Sequence, residues 1–190
     1  MENKKGRPRD INVEKAILKA AYDLLLEDGF KSITVEKIAA RAKVSKATIY
    51  KWWPNKAAVV MESFFSVAMV ASPGYDTGSA VTDITVQATT LAEFLASAQG
   101  RIITELIGEG QFDLRLAEEY RARYFAPRRQ VSHQILAEGV KSGELKASLD
   151  IELCIDMIYG PIFYRLLVTG EKIDANYIKT LVAAVFEAQR

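Results

Sequence analysis

The sequence holds one cysteine, Cys154, and one histidine, His133. A single thiol excludes an intrachain disulfide and fits a reducing compartment, so a cytoplasmic location is expected. A lone imidazole without a cysteine pair excludes the ordinary zinc ligand sets, and no metal or cofactor is expected. Proline and glycine are scarce, 5 and 11 of 190 residues, which leaves long stretches free for helix. No apolar run reaches the roughly 18 residues of a membrane-spanning helix. The polar start, Met1 to Arg9, lacks the apolar core of a signal peptide. Glycine-rich phosphate loops and nucleophile elbows are missing. Asp113, Glu118 and Glu119 show no spacing for paired catalysis, so an enzyme is not expected. Cys154 falls on an apolar stripe with Ile151, Ile155 and Ile158, the place of a packed thiol rather than a nucleophile. His133 reads as a helix-surface residue.

What is present is a charge asymmetry that the net charge of +1 conceals. Residues 1–56 carry 13 Lys and Arg against 7 Asp and Glu, while the remainder carries 12 against 17. A basic head on an acidic body is the pattern of a polyanion-binding module joined to something else.

Hydrophobic periodicity is helical throughout, with no alternating β-type run and no internal repeat. Residues 1–10 read as a flexible arm. Ala16, Ile17, Ala20, Ala21, Leu24 and Leu25 form the stripe of a first helix, with Asn12 as its cap and a stop at Asp28-Gly29. Thr34 caps a second helix with Val35, Ile38, Ala39 and Ala42 as its buried stripe. Lys43-Val44-Ser45 breaks it, and Lys46 to Trp53 resumes with Ala47, Ile49, Tyr50 and Trp53 at its apolar or amphipathic positions. Pro54-Asn55 ends that helix, and Asn55 caps a long apolar one from Lys56 to about Ala71. The strongest loop signal is Ser72 to Ser79. Further helices are expected near 81–97, 99–109, 113–125, 127–142, 150–168 and 174–189, with breaks at Gly108/Gly110, Pro127, Ser142-Gly143 and Thr169-Gly170. Asp150 and Asp174 suit the caps of the last two, which read as an antiparallel pair. The expected fold is all-α. A three-helix domain is expected over residues 1–55 and a larger helical domain over residues 56–190.

Two short helices across a three-residue turn, preceded by a longer one, make a helix-turn-helix. The first two bury Ile17, Ala21, Leu24, Leu25, Ile38 and Ala39 and hold the third. The third then presents Lys46, Ala47, Thr48, Tyr50 and Lys51 to a major groove. The small Ala47 permits close approach, and its methyl can meet a thymine methyl. Hydroxyls of Thr34, Ser45, Thr48 and Tyr50, with Lys46 and Lys56, suit phosphate oxygens on either flank. Trp53 reads as a core aromatic. Tyr50 and Trp52, at the polar edge, read as DNA contacts.

The run Thr34-Val-Glu-Lys-Ile-Ala-Ala-Arg-Ala-Lys-Val-Ser-Lys-Ala-Thr-Ile-Tyr-Lys-Trp-Trp-Pro-Asn-Lys-Ala-Ala58 resembles the DNA-binding region of the TetR family, over about residues 7–62. Gly100-Arg-Ile-Ile-Thr-Glu-Leu, Ala126-Pro-Arg-Arg and Tyr159-Gly-Pro-Ile-Phe-Tyr-Arg-Leu-Leu167 are similar to one class of its ligand domains. The resemblance implies phosphate contacts from Thr34, Ser45, Thr48, Tyr50 and Lys56. It implies groove contacts from Lys46, Ala47 and Lys51, and an arm carrying Arg7 and Arg9 in or beside the minor groove. Two positions depart from the pattern: Lys43 and Ala47 stand where glycine is common.

The function expected is a regulator, most often a repressor in this family, that binds a near-palindromic DNA operator as a homodimer and is released by a small, mainly hydrophobic effector. The alternative is a helical ligand-binding or scaffold protein with a vestigial helix-turn-helix. Candidate pocket residues are Phe65, Met69, Leu91, Phe94, Arg101, Leu106, Tyr120 and Tyr124. Gln99 and Thr104 are further polar groups that could orient a ligand. Candidate dimer residues are Leu153, Met157, Gly160, Leu166, Ile178, Leu181, Val182 and Val185. Gly160-Pro161, inside a helical pattern, reads as close packing of two subunits or as a bend that shapes a cavity.

Overall fold

A computed structural model describes residues 10–68 and 76–188; Arg7, Arg9 and Met69 lie outside the described residues. Among the described residues there are ten α-helices and no strand. They are α1 (Ile11–Ser32), α2 (Val35–Ala42), α3 (Lys46–Tyr50), α4 (Lys56–Ala68), α5 (Ala80–Ala96), α6 (Ala98–Gly110), α7 (Leu114–Tyr120), α8 (Ala126–Ser142), α9 (Ile151–Tyr164) and α10 (Ala175–Ala188). Single π-helical turns, Arg121–Phe125 and Arg165–Thr169, follow α7 and α9.

The chain forms two compact units. The first holds the described part of Met1–Val70 together with Glu109–Glu119, and the second holds the described part of Ala71–Gly108 with Tyr120–Arg190. As a unit of packing the first therefore runs past residue 55. Pro54 interrupts the chain, but Asn55 restarts it at once: its Oδ1 accepts from the Ala58 N–H at 2.8 Å, and α4 packs on α1.

In the first unit, Asp10 rather than Asn12 caps α1, its Oδ1 accepting from the N–H groups of Asn12 and Val13 at 3.0 and 3.5 Å. Aspartate accepts as an ion, which favours it at the positive end of a helix. Ile17, Ala20, Ala21, Leu24 and Leu25 are buried, whereas Ala16 faces solvent. Gly29 breaks the helical backbone with φ 72°, ψ 165°, where the sequence places the stop, and α1 ends beyond this kink at Ser32.

The second unit packs α5 against α8 and α10, with α9 lying against all three. Its apolar core includes Ile84, Ala88, Leu136, Ile155, Ile158 and Ile162. The stops expected at Gly143 and Gly170 are left-handed glycines. The break expected at Pro127 is absent: the π turn before it and its own place in the first turn of α8, where a missing N–H costs nothing, keep the chain helical. Gly108 likewise stays inside α6, and α9 continues through Gly160-Pro161.

Glu144, beyond α8, accepts at the start of α5 from the Ser79 hydroxyl (2.7 Å) and from the N–H groups of Ala80 (2.6 Å) and Val81 (3.2 Å). Partial burial alone would raise its carboxyl pKa, but these bonds outweigh it and hold the carboxyl below the usual range. The helix ends meet closely here. A Cβ added at Gly139 would lie 2.5 Å from the Ala80 Cβ and 2.8 Å from a Leu145 methyl. Gly139→Ala is expected to destabilise the protein by about 1–3 kcal/mol through overpacking, read as a lower Tm, whereas the same change at the open Gly108 leaves it unchanged or raised.

Candidate nucleic-acid interface

The helix-turn-helix is set by three local devices. Thr34 Oγ1 accepts from the Lys37 N–H at 3.2 Å and starts α2. Lys43 ends α2 in the left-handed region, φ 56° and ψ 42°, its N–H reaching the Ala40 carbonyl at 3.3 Å. Ser45 Oγ accepts from the Thr48 N–H at 3.2 Å and starts α3. A lysine with positive φ carries roughly 1 kcal/mol of strain that glycine would not. The turn keeps it because the cap bonds to Ala39 and Ala40 specify that backbone.

The regular part of α3 is shorter than the expected Lys46–Trp53. Helical hydrogen bonding nevertheless runs on, from the Lys51 N–H to the Ala47 carbonyl (3.0 Å) and from the Trp53 N–H to the Ile49 carbonyl (2.9 Å). Ile49 and Trp53 are buried. The Trp53 Nε1–H donates to Glu62 Oε2 of α4 at 2.9 Å, and its ring meets Trp52 edge-on at 5.6 Å. The opposite side of α3 is open: Lys46, Ala47 and Lys51 are exposed, Tyr50 is 53% exposed, and Thr48 and Trp52 are half-buried. Thr34 and Ser45 are exposed on the same segment, and the Ser45 and Thr48 hydroxyls lie 3.0 Å apart.

Three of the basic residues of this segment are drawn onto neighbouring carboxylates. Lys46 Nζ lies 2.9 Å from Glu36 Oε1, Lys37 reaches Asp28 at 2.9 Å, and Arg41 reaches Glu27 at 2.8 Å. The Glu36 bond raises the Lys46 pKa, and the Lys46 bond lowers that of Glu36. Lys51 and Lys43 form no ion pair with any described residue. Lys56 is placed differently from a free phosphate ligand. It is half-buried, its Nζ donates to the Phe30 carbonyl at 2.9 Å, and it sits 4.1 Å from the Phe30 ring centre. Burial lowers its pKa against the pull of Asp113 and Glu109. A lysine one step past a helix cap carries no sequence signal of such a turn inward.

The candidate pocket residues divide between the units. Phe65 is buried in the first. In the second, Leu106, Tyr120 and Tyr124 are buried, Leu91 and Phe94 are half-buried, and Arg101 is exposed. Gln99 is exposed and Thr104 half-buried. The second unit buries a polar cluster that includes Gln87 and Ser132, which carry no sequence signal of their own. Gln87 Oε1 accepts from the Ser132 and Tyr159 hydroxyls, each at 2.8 Å. Arg128 lies 3.7 Å over the Tyr124 ring and donates to the Tyr124 carbonyl at 3.3 Å. Burial lowers its pKa. A Gln, a Ser and an Arg at helical spacing look like solvated positions until the helices are packed.

The candidate dimer residues divide as well. Ile178, Val182 and Val185 are buried in their own chain, because α10 packs on α5 and α9 and uses that stripe itself. They are withdrawn from the expected interface. Leu153 and Gly160 are exposed, and Met157, Leu166 and Leu181 are half-buried. The exposed apolar face continues to Tyr164 (58% exposed), which flanks Gly160-Pro161 in the helical pattern, and on to Leu167 and Val168 (68%). His133 is half-exposed, 3.9 Å from Glu152, and Cys154 is fully buried, its thiol pKa raised by burial.

A capped helix-turn-helix with an open, hydroxyl- and lysine-bearing face, followed by a second, helical unit, defines a DNA-binding regulator. Residues 17–62 match the bacterial regulatory proteins of the tetR family, and residues 75–185 match the tetracyclin repressor-like C-terminal domain. The chain belongs to the tetR family of bacterial regulatory proteins and is a transcriptional regulator. It is 59% identical over 187 residues to the uncharacterized HTH-type transcriptional regulator YdeS of Bacillus subtilis, covering 98% of this chain and 94% of that one. It is 30% identical over 156 residues to the fatty acid metabolism regulator protein of Bacillus subtilis, 77% of each chain. The solved TetR family transcription regulator SCO0332 superposes with a TM-score of 0.77 at 32% identity, over 93% of this chain and 97% of that one.

Replacing the left-handed lysine by glycine, Lys43→Gly, is expected to relieve the turn and raise stability by up to about 1 kcal/mol, less the extra chain entropy of glycine. Thermal unfolding checks the sign, since a turn without strain there would instead lose stability.

Proposed function

We propose that this regulator is a repressor. It binds a near-palindromic operator as a two-fold homodimer and leaves it when a small, mainly hydrophobic effector binds. In this reading residues 1–55 do the DNA binding and residues 56–190 carry effector binding and dimerisation. The observation that carries it is the open face of α3, held on a buried Ile49-Trp53 base. Lys46, Ala47 and Lys51 meet the major groove, and the hydroxyls of Thr34, Ser45, Thr48 and Tyr50 meet phosphates with Trp52 alongside. Arg7 and Arg9 reach the minor groove as an arm. Lys56 joins the phosphate contacts by exchanging the Phe30 carbonyl for a phosphate oxygen.

The homodimer is supported by the exposed apolar face of Leu153, Gly160, Tyr164, Leu167 and Val168, which two copies bury as a four-helix arrangement. A two-fold protein pairs with a two-fold operator. An apolar effector is supported by the ring cluster of the second unit. Phe125 meets Tyr120, Tyr124 and Phe163 edge-on at 5.7, 5.0 and 5.5 Å. The relative named for fatty acid metabolism points the same way. Release requires the effector to bind the DNA-free state more tightly.

Selection of bound duplexes from genomic DNA, followed by salt titration, tests the DNA-binding part. Lys51→Ala is expected to weaken binding and, by removing one cation from the groove, to make log K against log salt shallower by up to about 0.9. An unchanged slope would remove Lys51 from the interface, and a protein that enriches no duplex would favour the vestigial-motif alternative. For the dimer, sedimentation is expected to show a two-fold species that becomes monomeric in the double variant Leu167→Asp, Val168→Asp. Wild-type monomer at micromolar concentration would contradict it.

A further inference from the structure

Glu36 is the sole acidic residue between Thr34 and Lys56, a stretch that holds six lysines and arginines. It lies in the first turn of α2, and its carboxylate is spent across the turn on Lys46, the first residue of α3, at 2.9 Å. Both side chains are exposed, so the pair is reached by water and by any approaching polyanion. An exposed pair of this kind contributes little to stability. Its position, on the leading edge of the helix that faces the groove, gives it a different consequence.

A lysine at that edge attracts every phosphate, whatever the sequence, and each such cation adds to the salt-dependent, sequence-independent part of the affinity. An intramolecular carboxylate at hydrogen-bond distance competes with the phosphates for the same ammonium. A well-placed base-edge acceptor pair, such as the N7 and O6 of guanine, adds geometry-dependent bonds that favour release of the lysine at the matching sequence. A lysine that keeps its carboxylate leaves the edge it occupies electrically neutral.

We propose that Glu36 is a specificity-determining residue. Through Lys46 it lowers binding to DNA in general while leaving binding to the correct sequence less affected, and so widens the ratio between the two. This rests on the reading of α3 as the groove-reading helix. Glu36 acts through Lys46 and is a positioning residue rather than a DNA contact.

The test uses the full chain and two probes, the duplex most enriched by the wild-type protein and a scrambled duplex of the same length and composition. Glu36→Gln is close in shape and leaves the Thr34 cap in place. It is expected to tighten binding to the scrambled duplex by about 3- to 10-fold at low salt and to steepen its salt slope by about 0.9. The enriched duplex gains less, so the specificity ratio falls. In a Lys46→Met background the same substitution is expected to have no effect, the signature of action through the lysine. Glu36→Asp keeps the charge at the start of α2 but withdraws the carboxylate by one methylene, and falls between wild type and Glu36→Gln. An unchanged ratio in Glu36→Gln overturns the proposal, as does an Asp variant that behaves as wild type. An equal gain with and without Lys46 also overturns it, because Glu36 would then be repelling DNA by itself. A wild-type protein that enriches no duplex is a separate result, which fails the regulator reading and not this residue alone.

Discussion

The burial of Ile49 and Trp53 beneath α3 is the constraint on which the rest of the first unit depends. A helix with a regular core of five residues has no stability of its own in water, because the nucleation cost exceeds what so few bonds return. Complete burial of two large side chains, about 1.5–3 kcal/mol for one the size of isoleucine, holds it instead. The bond from the Trp53 indole to Glu62 ties its exit to α4, and the Ser45 cap ties its entry to the turn. The residues on the other side of α3 are thereby free of structural duty and can be chosen for what they meet. A lysine, an alanine and a lysine stand there in the open.

The second unit solves a different problem. Its helices bury a polar cluster, Gln87 with the hydroxyls of Ser132 and Tyr159, and a half-buried arginine stacked on Tyr124. Buried polar groups with satisfied bonds fix helix register more strictly than apolar contacts do, at some cost in stability. Along α8 and α9, Arg129 adds bonds to Glu152 and, at 2.6 Å, to Asp156. With α8 and α9 so joined, and α10 seated on α5, the apolar residues exposed along α9 and the π turn after it are Leu153, Tyr164, Leu167 and Val168.

Much of this was legible in the sequence because the signals are local. Caps at Thr34, Ser45, Asn55, Asp150 and Asp174 act within three residues, so they can be read without knowing the fold. The stops at Gly29, Gly143 and Gly170 are of the same kind. What was not legible depends on which helix lies beside which. The stripe of Ile178, Val182 and Val185 is equally good for a subunit interface and for packing on α5, and periodicity cannot tell the two apart. Lys56 reads as a surface lysine until the Phe30 carbonyl is found beside it. The Glu36–Lys46 pair spans ten positions and a turn, outside the spacing at which charges can be paired from sequence.

The proposed two-fold complex sets two copies of α3 in successive major grooves on one face of a duplex. Hydroxyl-radical footprinting of the full chain on its enriched duplex measures this directly. Two equivalent protected segments related by a two-fold axis are expected, their centres separated by one helical turn, about 34–36 Å, or a whole multiple of it. A single unsymmetrical footprint, or uniform weak protection along the whole duplex, would contradict it.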